Sequence, residues 1–132
     1  MTHNGLYVTP PQQSKVAIFT RAYDLTGLWY KTAKGFPKLD RYTIGNQVFG
    51  LLMEFLVGIT KVEYLTPYQK RERLIALSPS LDSVKILIRL AHSLEIVQEQ
   101  HYIKFEEELN EIGRMLGGWI RSLSNNKHTP VH

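Results

Sequence analysis

Apolar residues recur along this chain at intervals of three and four, the spacing that places side chains on one face of an α-helix. Four stretches carry this pattern, and no stretch alternates apolar and polar residues as a strand would. The most apolar stretch runs from Phe36 to Val62 and opens with a charged turn that contains Pro37. The other three are amphipathic, so each predicts a helix that packs one face against this central segment.

Turn and capping residues set the expected ends of the four helices. Ser14 suits the N-cap of the first helix, and Gly35 followed by Pro37 ends it. Tyr23 and Tyr30 widen the apolar face of this helix. The second helix is expected from about Leu39 to Tyr64, the third from Tyr68 to Gln98, and the fourth from His101 to Ser124.

Proline and glycine fall inside two of these helices. Pro79 interrupts the third, which predicts either a kink or a short helix that leads into a longer one. The apolar stripe keeps its phase across Pro79, and this favours the kink. Gly45, Gly50 and Gly58 lie inside the second helix, where each costs about 1 kcal/mol relative to alanine. We expect them to allow a neighbouring helix to come close.

Four helices of this length with short connections predict an all-α fold, an up-down-up-down four-helix bundle. The length of 132 residues suits one domain, and we expect the bundle to span residues 15–124. Residues 1–14 are polar and contain two consecutive prolines, so they predict a flexible arm. Residues 125–132 are also polar and predict a flexible tail.

Composition removes several classes of function. The chain has no cysteine, which excludes disulfides, thiolate metal ligands and cysteine nucleophiles. Its first residues lack the pattern of a secretory signal, and no uninterrupted apolar run reaches about 18 residues, so we expect a cytoplasmic protein without a membrane span. The five histidines are scattered and no glycine-rich phosphate loop occurs, so we expect neither a metal site nor a cofactor.

The net charge of +4 is distributed unevenly if the helices are antiparallel. The end with both termini is more basic, and it includes the cluster Lys70, Arg71 and Arg73. The opposite end is mixed, because Lys34, Lys38 and Arg41 share it with several glutamates. We expect these three cations to pair with carboxylates of their own chain or of another subunit instead of contacting RNA.

A second basic feature follows one flank of the third helix. Arg71, Ser78, Lys85 and His92 recur there at seven-residue spacing, and Arg89 lies one turn after Lys85. Lys85 and Arg89 therefore point the same way and are able to reach one phosphate backbone. A solvated flank that keeps the bundle soluble explains the same pattern, and the sequence leaves both interpretations open.

Aromatic and catalytic interpretations also compete with simpler ones. Trp29 and Trp119 suit base stacking, but both fall on apolar stripes, which favours packing in the core or between subunits. Arg121 and His128 are similar in placement to the arginine and histidine of HEPN ribonucleases, which are also helical bundles. Because His128 falls in the polar tail, it would be poorly fixed as a catalytic base.

Two segments carry a more specific resemblance. Residues 111–120, EIGRMLGGWI, resemble the last-helix signature of Avd, the accessory variability determinant of diversity-generating retroelements. The turn FPK at residues 36–38 and the segment RYTIG at residues 41–45 resemble a turn shared by Avd-like proteins and their relatives encoded in 23S ribosomal RNA intervening sequences. The resemblance covers about residues 18–123.

This resemblance implies a homopentameric barrel of four-helix protomers that is not an enzyme. It implies binding to the retroelement reverse transcriptase and to template RNA, with Lys85 and Arg89 as the leading contacts. The cluster Lys70, Arg71 and Arg73 comes second. Gly117, Gly118 and Trp119 suit a close contact between subunits.

One relative remains as an alternative, a ribosome-associated or RNA-associated protein of the intervening-sequence branch without a reverse transcriptase. That branch carries a run similar to Asn-Ile-Ala-Glu-Gly in its second helix. This chain has LVGIT at residues 56–60, which favours the Avd branch.

Overall fold

All four apolar stripes fold as helices in the computed structural model, which describes the backbone of residues 10–128 and the side chains of residues 15–124. The first helix is Pro10–Ala33. The second begins as Lys38–Asp40, passes through a π-helical turn at Arg41–Gly45 and continues as Asn46–Thr60. The third is Pro67–Ser93 and the fourth is Glu99–His128. No strand occurs within the described residues.

The helices pack as a closed ring in which each contacts the helices before and after it, and the fourth closes on the first. This is the four-helix bundle that the periodicity predicts. The apolar stripes meet in one core, and the stripe of the fourth helix is buried from Phe105 to Leu123, while its first expected member, Tyr102, is half-buried. The largest fully buried side chains include Trp29, Phe55, Phe105, Leu74 and Ile88.

The first and the fourth helix both extend further along the chain than expected. The first begins at Pro10 rather than near Ser14. Proline is tolerated in the first turn, because the N–H groups that it lacks have no acceptor within the helix there. The fourth continues beyond Ser124 to His128. Residues 1–9 of the predicted arm and residues 129–132 of the predicted tail lie outside the described residues.

The third helix is one continuous helix that contains Pro79. It starts with a capping box in which the Thr66 hydroxyl accepts from the Gln69 backbone N–H, and the Gln69 side chain accepts from the Thr66 N–H. It ends at Ser93 instead of the expected Gln98. Glu95 takes a left-handed conformation, with φ of 64°, and the Ile96 N–H bonds back to the Ala91 carbonyl at 2.8 Å. That pattern is a Schellman-type ending without its usual glycine, so the sequence gives no signal for it.

The π-helical turn at Arg41–Gly45 is a second feature that periodicity does not predict. The Trp29 Nε1–H donates to the Gly45 carbonyl at 3.0 Å, inside the core. The Trp29 ring also packs edge-on against Phe36 and Phe105, with centroids 5.6 and 5.3 Å away. The prediction that Trp29 packs in the core is confirmed, since its side chain is fully buried.

Glycines of the second helix have different surroundings. A Cβ at Gly58 would lie 2.6 Å from Leu77 Cδ2 of the third helix, so this glycine allows the close approach that we expected. A Cβ at Gly45 would lie 3.3 Å from the Asp40 carbonyl and 3.5 Å from Ala33 Cβ. A Cβ at Gly50 would meet nothing within 4 Å, so no neighbouring helix explains that glycine within the protomer.

The second helix also retains apolar surface. The most apolar 18-residue window within Lys38–Thr60 has a mean hydropathy of 1.3, so this helix meets the length and composition of a membrane span, although the core helix of a soluble protein passes the same test. Val48, Leu52, Phe55 and Ile59 turn one face of it into the core. Only 28% of its most apolar window is buried, so other apolar side chains of this helix face outwards.

Candidate nucleic-acid and partner interface

The predicted flank of the third helix lies along the seam between the third and fourth helices. Because these helices run antiparallel, the start of the third meets the end of the fourth. Arg71 Nε donates to the Ser124 hydroxyl at one end of the seam. At the other end, His92 Nε2 lies 2.7 Å from Glu99 Oε1. Both outer members of the flank are therefore held by the fourth helix.

His92 serves the packing of the two helices. Its ring stacks on the Tyr102 ring, with centroids 4.2 Å apart and planes 10° apart. The hydrogen bond to Glu99 fixes the same ring from the side. These two contacts give His92 a packing role at the end of the flank. The residues in the middle of the seam are those that remain without such contacts.

Lys85 and Arg89 occupy that middle. Lys85 is half-buried against the fourth helix, and its Nζ lies 3.9 Å from where a Cβ of Gly113 would stand. Arg89 is exposed one turn later. Neither side chain forms an ion pair or a hydrogen bond with the side chains of residues 15–124. Both donors are therefore available to an anionic partner, and the contact with RNA or enzyme stays a prediction.

One turn beyond Gly113, the fourth helix carries Gly117 and Gly118. A Cβ at Gly117 or Gly118 would meet only the Arg121 guanidinium, at 3.4 and 3.8 Å. No other helix of the protomer approaches them, so their use in a subunit contact stays a prediction. The Trp119 side chain is 3% exposed and packs in the protomer's own core, which leaves little of it for a partner.

The second predicted cluster, Lys70, Arg71 and Arg73, lies in the first turns of the third helix. Arg71 is engaged twice, by Ser124 and by Glu72 at 3.6 Å. Lys70 and Arg73 form no ion pair among the described side chains. The positive charge of Lys70 still acts locally, since it contributes, after Lys15, to lowering the pKa of Glu63.

At the opposite end, the expected pairing of Lys34, Lys38 and Arg41 within the protomer is not found. The glutamates of that end are used elsewhere: Glu99 bonds to His92, and Glu108 pairs with Arg21 at 3.0 Å and with Lys104 at 3.5 Å. The three cations form no ion pair within residues 15–124.

Two of these cations, Lys34 and Arg41, instead lie over tyrosine rings, one of which, Tyr30, was expected on the apolar face of the first helix. Tyr30 is 51% exposed and Tyr42 is 62% exposed. Lys34 Nζ lies 5.8 Å from the centroid of Tyr30, and Arg41 Cζ lies 5.6 Å from that of Tyr42. Sequence reasoning missed this group, although the adjacency of Arg41 and Tyr42 offered a signal.

Catalytic and metal-binding arrangements have little support. Within the described residues, no group of three or more histidine, aspartate and glutamate side chains is placed to hold a metal ion. Of the alternative ribonuclease pair, only the Arg121 side chain lies within the described residues. Arg121 is exposed on the fourth helix, and the His128 side chain lies outside the described residues.

A comparison with known families decides the broad class of the chain. Residues 16–123, which include all four helical stripes and the Lys85–Arg89 pair, match the sequence profile of the bAvd-like family. The chain belongs to the bAvd-like family. Curated proteins and solved structures gave no significant match.

Membership confirms the resemblance read from residues 36–45 and 111–120. The bAvd-like family is an accessory, non-catalytic family associated with reverse-transcriptase systems.

Proposed function

We propose that this bAvd-like protein is an accessory subunit of a diversity-generating retroelement. In this role it holds the reverse transcriptase and the template RNA together in the cytoplasm and catalyses no reaction itself. Family membership supports the accessory role. The observation that carries the binding part is the Lys85–Arg89 pair, two neighbouring cations without an internal partner on a seam whose end members, Arg71 and His92, are occupied.

Charge and geometry suit a phosphate backbone at this seam. Lys85 and Arg89 lie one helical turn apart on the third helix. Open backbone at Gly117 lets a partner come close to the helix. Arginine and lysine contacts of this kind supply affinity without reading sequence, and they weaken as salt rises. Lys70 and Arg73 extend the same basic surface towards the end of the bundle.

The proposal includes a homopentameric barrel of these protomers. Apolar side chains outside the core support self-association, since Tyr23, Met53 and Val57 are 60%, 42% and 49% exposed on the first and second helices. Apolar surface that a protomer leaves uncovered is typical of subunit contacts. Gly117 and Gly118 provide a further site where two backbones can approach. Sedimentation should then give a particle of five 15.3 kDa chains.

The binding part is tested by charge reversal at Lys85→Glu together with Arg89→Glu. One charge-assisted hydrogen bond is worth about 1.5–3 kcal/mol, so we expect template RNA and reverse transcriptase to bind at least about tenfold more weakly. A matched control reverses Lys31 and Lys61, two exposed cations that also lack ion pairs among the described side chains. It changes net charge by the same amount and should retain most of the affinity.

The outcomes separate the site from the function. Unchanged binding in the Lys85 and Arg89 variant, with helicity intact by circular dichroism, would reject this site. Equal losses in the control would show that net charge alone matters. If the parent chain binds neither the reverse transcriptase encoded beside it nor RNA, the proposed function itself is rejected.

A further inference from the structure

Two cations at the mixed end of the bundle, Lys34 and Arg41, line a cleft between the end of the first helix and the start of the second. The cleft has a volume of about 390 Å³, within the range of roughly 300–1,000 Å³ that holds small ligands. Its lining combines aromatic, cationic and amide side chains: Tyr30, Lys34, Arg41, Tyr42, Asn46 and Phe49. It lies across the bundle from the Lys85–Arg89 pair, because the first and second helices face away from the seam of the third and fourth.

The aromatic side chains of the cleft are partly exposed to solvent. Tyr30 packs against Phe49 at 5.3 Å with a tilt of 46°, which supports the Tyr30 ring from behind. About half of Tyr30 and more than half of Tyr42 remain exposed. Exposed, supported rings of this kind are stacking surfaces for nucleic-acid bases.

Lys34 lies over the Tyr30 ring and Arg41 lies over the Tyr42 ring, so each cation stands above one face of its ring. Lys34 and Arg41 each lie within 6 Å of a tyrosine ring centre, and neither meets a carboxylate among the described side chains. Arg41 Nε is buried and forms no hydrogen bond within the described structure. A group that accepts hydrogen bonds and carries negative charge would satisfy it.

The backbone fixes this arrangement from the core side. Arg41 and Tyr42 belong to the π-helical turn, a local widening that is frequent at functional sites. The hydrogen bond from Trp29 to the Gly45 carbonyl ties the last residue of that turn to the core. The rim of the cleft is therefore built on a rigid element and not on a loop.

We infer that this cleft binds one unpaired nucleotide of a single RNA strand. The base stacks on Tyr30 or Tyr42, the phosphate is held by Lys34 and Arg41, and the Asn46 amide is placed to bond the base edge. An acidic peptide would satisfy the cations but leave the ring faces unused, so a nucleotide fits the lining better. The inference rests on the proposed role in RNA binding and adds a second contact on the opposite side of the protomer.

The test measures fluorescence anisotropy of a labelled single-stranded RNA of about ten nucleotides against the full chain. We expect Tyr42→Ala to weaken binding about 5- to 150-fold, the range reported for removing one stacking ring, and Tyr42→Phe to keep the parent affinity. Arg41→Gln should reduce the slope of log affinity against log salt by about 0.7 for one lost phosphate contact. Controls are Tyr64→Ala and Lys61→Gln, an exposed tyrosine and an exposed lysine outside the cleft.

Each outcome decides between the proposals. If the parent binds RNA but Tyr42→Ala and Arg41→Gln bind as the parent does, the cleft inference is rejected while the proposed function stands. Equal losses for a fully paired RNA duplex also reject it, because a paired base cannot stack on Tyr42. If the same variants instead lose binding to a glutamate-rich peptide and not to RNA, the cleft serves a protein partner and the inference is overturned.

Discussion

The indole Nε1–H of Trp29 donates a hydrogen bond to the Gly45 carbonyl oxygen across 3.0 Å of buried space. This contact joins the first helix to the π-helical turn of the second, at the corner that begins with Phe36. The same ring touches Phe36 and Phe105, so one side chain connects three segments of the bundle. The corner in turn positions Arg41 and Tyr42 at the surface.

Replacing Trp29 by phenylalanine tests how much that hydrogen bond contributes to the free energy of unfolding. The variant leaves the Gly45 carbonyl without its buried donor and leaves a void beside Phe105, so we expect a loss of about 2–4 kcal/mol of unfolding free energy. Trp119→Phe is the matched control, since Trp119 is equally buried but donates no side-chain hydrogen bond within the described structure. Urea unfolding measures both, and similar losses would show that ring size alone matters at position 29.

Periodicity predicts the helices and the core well, because burial of an apolar stripe depends mainly on spacing within one helix. Its failures are the π-helical turn and the end of the third helix, which depend on backbone geometry at Gly45 and Glu95. Sequence spacing predicts that the flank residues of the third helix lie on one side of it. It does not distinguish the residues that bond to the fourth helix from those that form no such bond. Whether Lys85 finds a partner depends on which residue of the fourth helix lies opposite, and sequence spacing does not contain that register.

Two glycines of the second helix should respond oppositely to alanine. Gly50→Ala has open space and should gain about 0.5–1 kcal/mol of stability from helix propensity. Gly58→Ala would place its Cβ against Leu77, which has to leave its rotamer, so we expect a net loss of about 1 kcal/mol. Thermal unfolding of both variants checks this. A gain of stability at both positions would mean that the second and third helices move apart readily to accept the Gly58→Ala methyl group. In that case, adding Leu77→Ala to Gly58→Ala should restore no stability.

The left-handed residue after the third helix is a site for stabilisation. Glu95 has a φ of 64°, a conformation that costs about 1 kcal/mol for a residue with a Cβ. We expect Glu95→Gly to raise the unfolding free energy by about 0.5–1 kcal/mol. Glu95→Ala separates backbone strain from the unfavourable charge at a helix C-terminus, because alanine removes only the charge. If alanine stabilises as much as glycine, the strain explanation fails.

The Lys15–Glu63 pair should contribute to the decline in unfolding free energy at acid pH. A hydrogen bond from Lys15, together with its charge, lowers the pKa of Glu63 from its ordinary 4.5. The folded state therefore binds this proton less readily than the unfolded state, so the pair stabilises fully above pH 4.5 and loses its effect as pH falls through the lowered pKa. Lys15→Met should flatten the decline in unfolding free energy with acid, and the difference from the parent should shrink in high salt. Glu111, whose pKa is lowered by Arg114, retains its own acid response in both proteins. An unchanged decline at acid pH in Lys15→Met would show that the pair is not formed in solution.

The occupied and free members of the third-helix flank should differ in their contribution to RNA binding. Arg71 already donates to Ser124 and pairs with Glu72, so a phosphate has to compete with both contacts. Lys85 has no such competitor among the described side chains, and its half-buried stem holds the ammonium in place against the fourth helix. We therefore expect Lys85→Gln to weaken RNA binding more than Arg71→Gln, and to reduce the salt slope by about 0.7–0.9 for one lost contact. Arg71→Gln should instead lower the stability of the bundle, since it removes a bond between the third and fourth helices.

RNA affinity, its salt slope and the free energy of unfolding are measured in both variants. We expect Lys85→Gln to have the larger effect on RNA affinity and Arg71→Gln to have the larger effect on the free energy of unfolding. The reverse ranking, with RNA binding more sensitive at Arg71, would move the RNA contact from the middle of the seam to the basic end.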